Sequence, residues 1–181
     1  MTALDELLTL ATDAARRAGD LLREGLDRPR TAVSTKSSPT DMVSEMDRAA
    51  EALLVDALLG ARPDDGMVGD EGTDRDGSTG VRWIVDPLDG TTNYVHGFPM
   101  FATSVGVVFD GELIAGAVYD PLRDEMFSAA KGRGALLGDE PIRVTDATDL
   151  ADSLVAVSLP PMVDPHSPDL QSFVAVVDAS R

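Results

Sequence analysis

Cysteine is absent from the 181 residues. That excludes disulfides, thiolate zinc sites and a cysteine nucleophile, so any metal has to be held by oxygen or by the two histidines. Positive charge is scarce, with 15 lysines and arginines against 32 acids. A surplus of that size repels phosphate backbones and anionic bilayers, which argues against nucleic acid and membrane as partners. No apolar run approaches the ~18 residues that suggest a membrane span, and the opening MTALDELLTL is acidic where a secretory signal would be basic. We therefore expect a cytoplasmic protein. Internal repeats and low-complexity stretches are also missing. What is there is an ordinary globular composition, 43% hydrophobic and 26% charged, in a chain long enough to bury a core.

Hydrophobic spacing supplies the elements. Leu7, Leu8, Ala11, Ala14, Ala15, Ala18, Leu21 and Leu22 recur at three and four, the period of a helix with one buried stripe. After Pro29 a short extended piece, 31–36, leads to SSPTD, and Pro39 with Thr40 predicts the start of a second helix running to about Leu59. Gly60, Pro63 and the following DDG end it. Met67 and Val68 ahead of GDEG, and VRWIV ahead of DPLDG, read as buried strands, so both acidic motifs are expected at strand ends. FATSVGVVF and ELIAGAVY flank Asp110-Gly111, a strong hairpin signal that predicts antiparallel strands. EMFSAA, ALL and IRV continue as short strands, and SLVAVSL reads as one more. SPDLQSFVAVVDASR begins a helix whose apolar face meets no later element, from which we expect a truncated chain.

The chemistry concentrates in DPLDGTTNY, Asp86 to Tyr94. Asp86 and Asp89 can turn two carboxylates toward one point at a strand end, and the backbone carbonyl of Leu88 between them offers a third hard oxygen. Such a set suits magnesium. Gly90 lets a phosphate approach the backbone, and the N–H groups of Gly90, Thr91 and Thr92 open a turn whose positive end attracts anions. Upstream, Asp47 falls on the line Val43, Asp47, Ala50, Leu54, the buried stripe of the second helix. An acid there needs a partner, whether a loop it caps, an arginine, or a group of the site. Asp70 and Glu71 place carboxylates at the corner after the first acidic strand, where they either bridge to the same ions or form a solvated turn. Asp41 reads as a helix cap or first-turn acid, His96 as structural, and Trp83 and Phe98 as core.

DPLDGTTNY with its trailing VHGFP resembles the signature of the inositol monophosphatase family of magnesium-dependent, lithium-sensitive sugar phosphatases. KSSPTDMVSEMD, Lys36 to Asp47, resembles the N-terminal segment of that family, and GDEG falls where it usually has Gly-Glu-Glu. The resemblance implies a layered α/β/α/β sandwich of the α+β class. Residues 1–150 would form the metal- and phosphate-binding part, and 151–181 the start of an incomplete C-terminal α/β part. It also implies roles. Asp70, Asp86, Leu88 and Asp89 would hold two or three magnesium ions. Asp70, Leu88, Asp89, Gly90 and Thr91 would surround the substrate phosphate. Asp47 and the Thr91 hydroxyl, with Asp70, would be catalytic, polarising a metal-activated water that attacks phosphorus directly. Glu71 and Lys36 would support them. Two departures stand out: Asp70 is one methylene shorter than the usual glutamate, and the Trp-Asp-x-Ala-like motif of the family's C-terminal half is missing, since Asp178 in VVDAS does not match it.

The expected function is hydrolysis of a phosphate monoester, with inositol 1-phosphate first and histidinol phosphate or another sugar phosphate as the alternative. A third expectation is of another class: an inactive fragment, or a member acting through protein contacts as some bacterial relatives do with transcription factors. The resemblance also makes a homodimer an expectation.

Overall fold

The computed structural model describes residues 2–26, 45–157, 159, 163–164 and 166–180, together with the backbone of 33–35 and 42–44. It divides into two units, Met1–Ile142 and Arg143–Arg181. The first begins with α1 (Ala3–Gly25), whose start is fixed by a capping box: the Thr2 hydroxyl accepts from the Asp5 N–H and the Asp5 carboxylate accepts from the Thr2 N–H. Its buried stripe is Leu7, Ala11, Ala14, Ala15, Ala18, Gly19, Leu22 and Gly25, close to the expected periodicity. Short strands β1 (Val33–Thr35) and β2 (Met42–Ser44) pair antiparallel, and α2 (Glu45–Ala61) follows directly. The second helix therefore starts at Glu45 rather than at Thr40, because Met42–Ser44 is committed to a ladder with Val33–Thr35.

The strands β3 (Gly66–Gly69), β4 (Asp74–Arg75) and β5 (Val81–Asp89) come next, then the short helix α3 (Thr91–His96). After it run β6 (Ala102–Phe109), β7 (Glu112–Asp120), β8 (Glu125–Ala130), β9 (Gly134–Leu137) and β10 (Glu140–Ile142). The described strands β3 to β10 form one mixed sheet in the order β10-β9-β8-β7-β6-β5-β3-β4. From β5 to β10 every pairing is antiparallel, whereas β3 runs parallel to β5. Asp110 and Gly111 make the expected two-residue hairpin, both at positive φ, closed by Phe109 opposite Glu112.

α1 and α2 cover one face of this sheet, α1 lying across β5 to β8 and α2 against β5. Between them sits one core in which Leu22, Leu54, Leu58, Trp83, Val107 and Tyr119 are buried. Burying each large apolar side chain stabilises the fold by about 1.5–3 kcal/mol. Trp83 meets expectation as core, and its Nε1–H donates to the buried Asp65 carboxylate at 3.0 Å. Phe98 does not: it is 57% exposed, and Phe101 enters the core in its place, edge-on to Tyr94 at 5.0 Å. The opposite sheet face leaves Ile84, Val118 and Phe127 exposed.

In the second unit Asp149 caps a single 3-10 turn, Leu150–Asp152. The α4 helix (Pro168–Ala179) starts as expected, with the Ser167 hydroxyl accepting from the Leu170 N–H. The expected strand SLVAVSL is not one: residues 153–157 and 159 are irregular. A strand needs a ladder partner, and none pairs with this segment among the described residues. Among the described residues, no helix is long and apolar enough to cross a membrane.

Candidate active site

The site grows out of an irregularity in β5. The inward alternation of Val81, Trp83 and Val85 is that of a regular strand, but Asp86 faces Ser104 while Asp89 faces Ala102. Three steps on β5 thus match two on β6, a bulge that bends the strand and re-aims its side chains. Pro87 belongs there because it has no N–H to give a ladder. Its carbonyl accepts from the buried Thr103 hydroxyl at 2.9 Å, and the Asp86 carboxylate accepts from the Leu88 N–H at 3.2 Å. The bend ends at Gly90, whose φ of 99° favours glycine and where a Cβ would lie 3.0 Å from the Met100 carbonyl oxygen. Glycine is required at this corner, and it starts α3.

Parallel pairing brings the second acidic motif alongside. Gly69 stands opposite Val85, so Asp70 and Asp86 are the next residues on neighbouring strands about 4.8 Å apart. The Asp70 N–H donates to the Val85 carbonyl at 3.3 Å. Asp70 and Asp86 line one cavity of about 330 Å³ with Val68, Gly69, Ile84, Val85 and Ser104. It lies at the carboxyl end of β3, beside the middle of β5, where the parallel pairing of the two strands stops.

The third part comes from α2. Asp47 is 2% exposed, and its Oδ2 accepts from the Thr91 hydroxyl at 3.2 Å. The same hydroxyl oxygen lies 3.0 Å from the Leu88 carbonyl, so one proton has two acceptors within reach. The residues expected to act together are therefore brought together in two groups: Asp70 with Asp86, and Asp47 with Thr91 and Leu88. Asp89 is exposed at the end of β5 and does not line the cavity. Glu71 meets α2 through its backbone, its N–H donating to Glu51. His96 is exposed at the end of α3. Lys36 and Asp41 lie outside the described residues.

Sequence patterns single out Asp47 and pass over Glu51. The signal for it was spacing: four residues on, it lies one turn further along the same side of α2, and it too is buried. As for metal, among the described residues no three acidic or histidine side chains gather at ligating distance. The candidate donors are all oxygen: the Asp70 and Asp86 carboxylates on the cavity and, in the other group, the Leu88 carbonyl beside the Thr91 hydroxyl. That chemistry fits magnesium.

The model of the inositol monophosphatase family matches residues 3–178. The chain belongs to this family. It is 37% identical over 174 residues to the Nus factor SuhB of Vibrio cholerae, covering 96% of this chain and 64% of that protein. It is 38% identical over 159 residues to the inositol-1-monophosphatase of Rhizobium meliloti, covering 87% of this chain and 60% of that one. Among solved structures, the extragenic suppressor protein SuhB of Bartonella henselae superposes with a TM-score of 0.85 at 34% identity, over 97% of this chain and 67% of that one. The inositol monophosphatase fold, a mixed α+β sheet with helices, is thus shared. The chain spans less than two thirds of the length of both curated relatives.

Proposed function

We propose that this chain carries the magnesium- and phosphate-binding share of a phosphate monoester hydrolase whose favoured substrate is inositol 1-phosphate. The supporting observation is the meeting of Asp70 and Asp86 on one cavity, with the bend at Gly90 bringing Thr91 onto Asp47. Asp70, Asp86 and Asp89, with the carbonyl of Leu88, would hold two or three magnesium ions. Magnesium, when bound, supplies the charge that neutralises phosphoryl oxygens, acidifies the attacking water and stabilises the leaving alkoxide. The chain's own residues do the rest. Asp47 takes the Thr91 proton as a hydrogen bond, leaving the Thr91 oxygen to accept from a water and hold it for attack. Gly90 permits the left-handed turn whose following backbone N–H groups would receive a phosphate flanked by Asp70, Leu88, Asp89 and Thr91. Glu71 and Lys36 support the acids. Histidinol phosphate and other sugar phosphates are the alternative substrates.

The likeness to proteins named Nus factor favours a second reading, a family member acting through protein contacts. One experiment separates the two. Phosphate release is measured from inositol 1-phosphate, histidinol phosphate and other sugar phosphates, with and without magnesium and lithium, alongside Asp89→Asn. Release that needs magnesium, falls with lithium and is lost in the variant supports hydrolysis. A folded chain that releases no phosphate from any of them at saturating magnesium overturns it in favour of an inactive fragment or a member acting through protein contacts.

A further inference from the structure

Glu51 takes no part in the proposed chemistry, yet it is 6% exposed and keeps its carboxylate inside the protein. A buried carboxylate is costly unless its oxygens are satisfied. Here the turn after β3 satisfies them: Oε2 accepts from the Glu71 N–H at 2.7 Å, and Oε1 from the Thr73 N–H at 3.0 Å and the Thr73 hydroxyl at 2.6 Å. On the other flank, a Cβ at Gly69 would collide with Oε2, so the backbone of Gly69 closes directly over the acid. The turn closes on itself as well, with the Gly69 N–H donating to the Thr73 carbonyl at 2.7 Å. Asp70 sits inside this wrapped segment, exposed, between the glycine that touches Glu51 and the N–H that it binds.

A side chain needed only to fill space would not require three donors. Glutamine, with the same shape, has one accepting oxygen and one donating nitrogen, and its N–H₂ would face either the Glu71 N–H or the Thr73 donors. A carboxylate, with an acceptor oxygen on each side, meets both. Because Asp47 and Glu51 are four residues apart, about 6 Å along one helix, α2 fixes both groups of the site with one rigid element.

We propose that Glu51 is a positioning residue: its carboxylate templates the Gly69–Thr73 turn, sets where Asp70 stands beside Asp86, and thereby sets affinity for a divalent cation. The cation half rests on the function proposed above; the template half rests on the hydrogen bonds alone. The test titrates magnesium by calorimetry into the chain, Glu51→Gln, Thr73→Val and Asp86→Asn, and follows amide hydrogen exchange at Glu71 and Thr73. Loss of a group that orients metal ligands weakens metal binding by about 10–100-fold, which is the expectation for Glu51→Gln. Thr73→Val, which removes one of the three donors, should weaken binding less, and Asp86→Asn should abolish it. Exchange at both amides should accelerate in Glu51→Gln.

A merely structural Glu51 would lower the melting temperature and leave the affinity of the folded protein unchanged. Folded Glu51→Gln with wild-type magnesium affinity therefore overturns the proposal. Where Glu51→Gln does not fold, wild-type affinity in Thr73→Val overturns it instead. A wild-type chain that binds no magnesium overturns the site reading and the cation half together. In that case accelerated exchange still supports the template half, and unchanged exchange overturns it too.

Discussion

Thr91 serves two acceptors with a single proton. Donation to the Leu88 carbonyl at 3.0 Å satisfies the bend, whereas donation to Asp47 at 3.2 Å leaves the hydroxyl oxygen free to accept from a water. Only the second state would serve the proposed hydrolysis, because it leaves an oxygen lone pair to receive the water. Serine keeps the hydroxyl and valine keeps only the shape. We expect Thr91→Val to lower magnesium-dependent turnover by about 100-fold or more, and urea denaturation to show a loss of about 1 kcal/mol. Thr91→Ser should stay within about tenfold of wild type in turnover; equal loss in both variants would show that the hydroxyl is not the working group. Asp47 was legible in the sequence because an acid on an apolar helical stripe is conspicuous, and the Thr91 hydroxyl only through the resemblance of DPLDGTTNY to the family signature. Glu51 was not, since its donors lie 20 and 22 residues away in a loop whose path no local pattern dictates.

Elements were more legible than their partners. Periodicity marked α1 and the strands that carry the acids, but it carries no direction, and the parallel pairing of β3 with β5 is what sets Asp70 beside Asp86. The start of α2 and the expected strand near residue 155 failed for the same reason: a ladder partner present at Met42–Ser44 and, among the described residues, absent at 153–157 decided each. The seating of α1 on the sheet offers a test of such a partnership. Its small stripe lets Tyr119 come so close that a Cβ at Gly19 would lie 2.5 Å from the ring. The Tyr119 hydroxyl donates to Asp124 at 2.9 Å and accepts from Arg16 at 3.3 Å, with the Arg16 guanidinium 4.7 Å from the ring centre. Burial, and then the bond to Asp124, push this phenol up to about 12. The folded protein thus holds the phenolic proton more tightly than the unfolded chain, where the pKa is about 10. Stability from the neutral phenol is complete below about pH 10 and is lost as pH rises through about 12. Urea denaturation across that window should show wild type falling more steeply than Tyr119→Phe, with tyrosinate absorbance rising in step. Parallel curves would remove Tyr119 from the α1 contact's alkaline response.

Over the full chain, 15 basic against 32 acidic residues leave a formal charge of −17. Self-repulsion of that size works against the folded state and is relieved by any salt, since screening sets in over about 10 Å at 0.1 M. Magnesium has a second way to act if Asp70, Asp86 and Asp89 bind it, because a ligand that binds only the folded state adds stability with concentration, about 2.7 kcal/mol at a hundredfold excess over Kd. The two effects separate at matched ionic strength. We expect magnesium chloride to raise the melting temperature above sodium chloride by about 5–10 °C at that excess, given about 2–4 °C per kcal/mol for a chain of this size. Asp86→Asn should bring the magnesium curve down to the sodium one. Asp139→Asn, an exposed acid between β9 and β10, removes the same unit of charge and should leave the excess intact. Coincident curves for wild type in the two salts would mean that charge is felt only through screening, and that the acids on the β3 and β5 ends hold no magnesium.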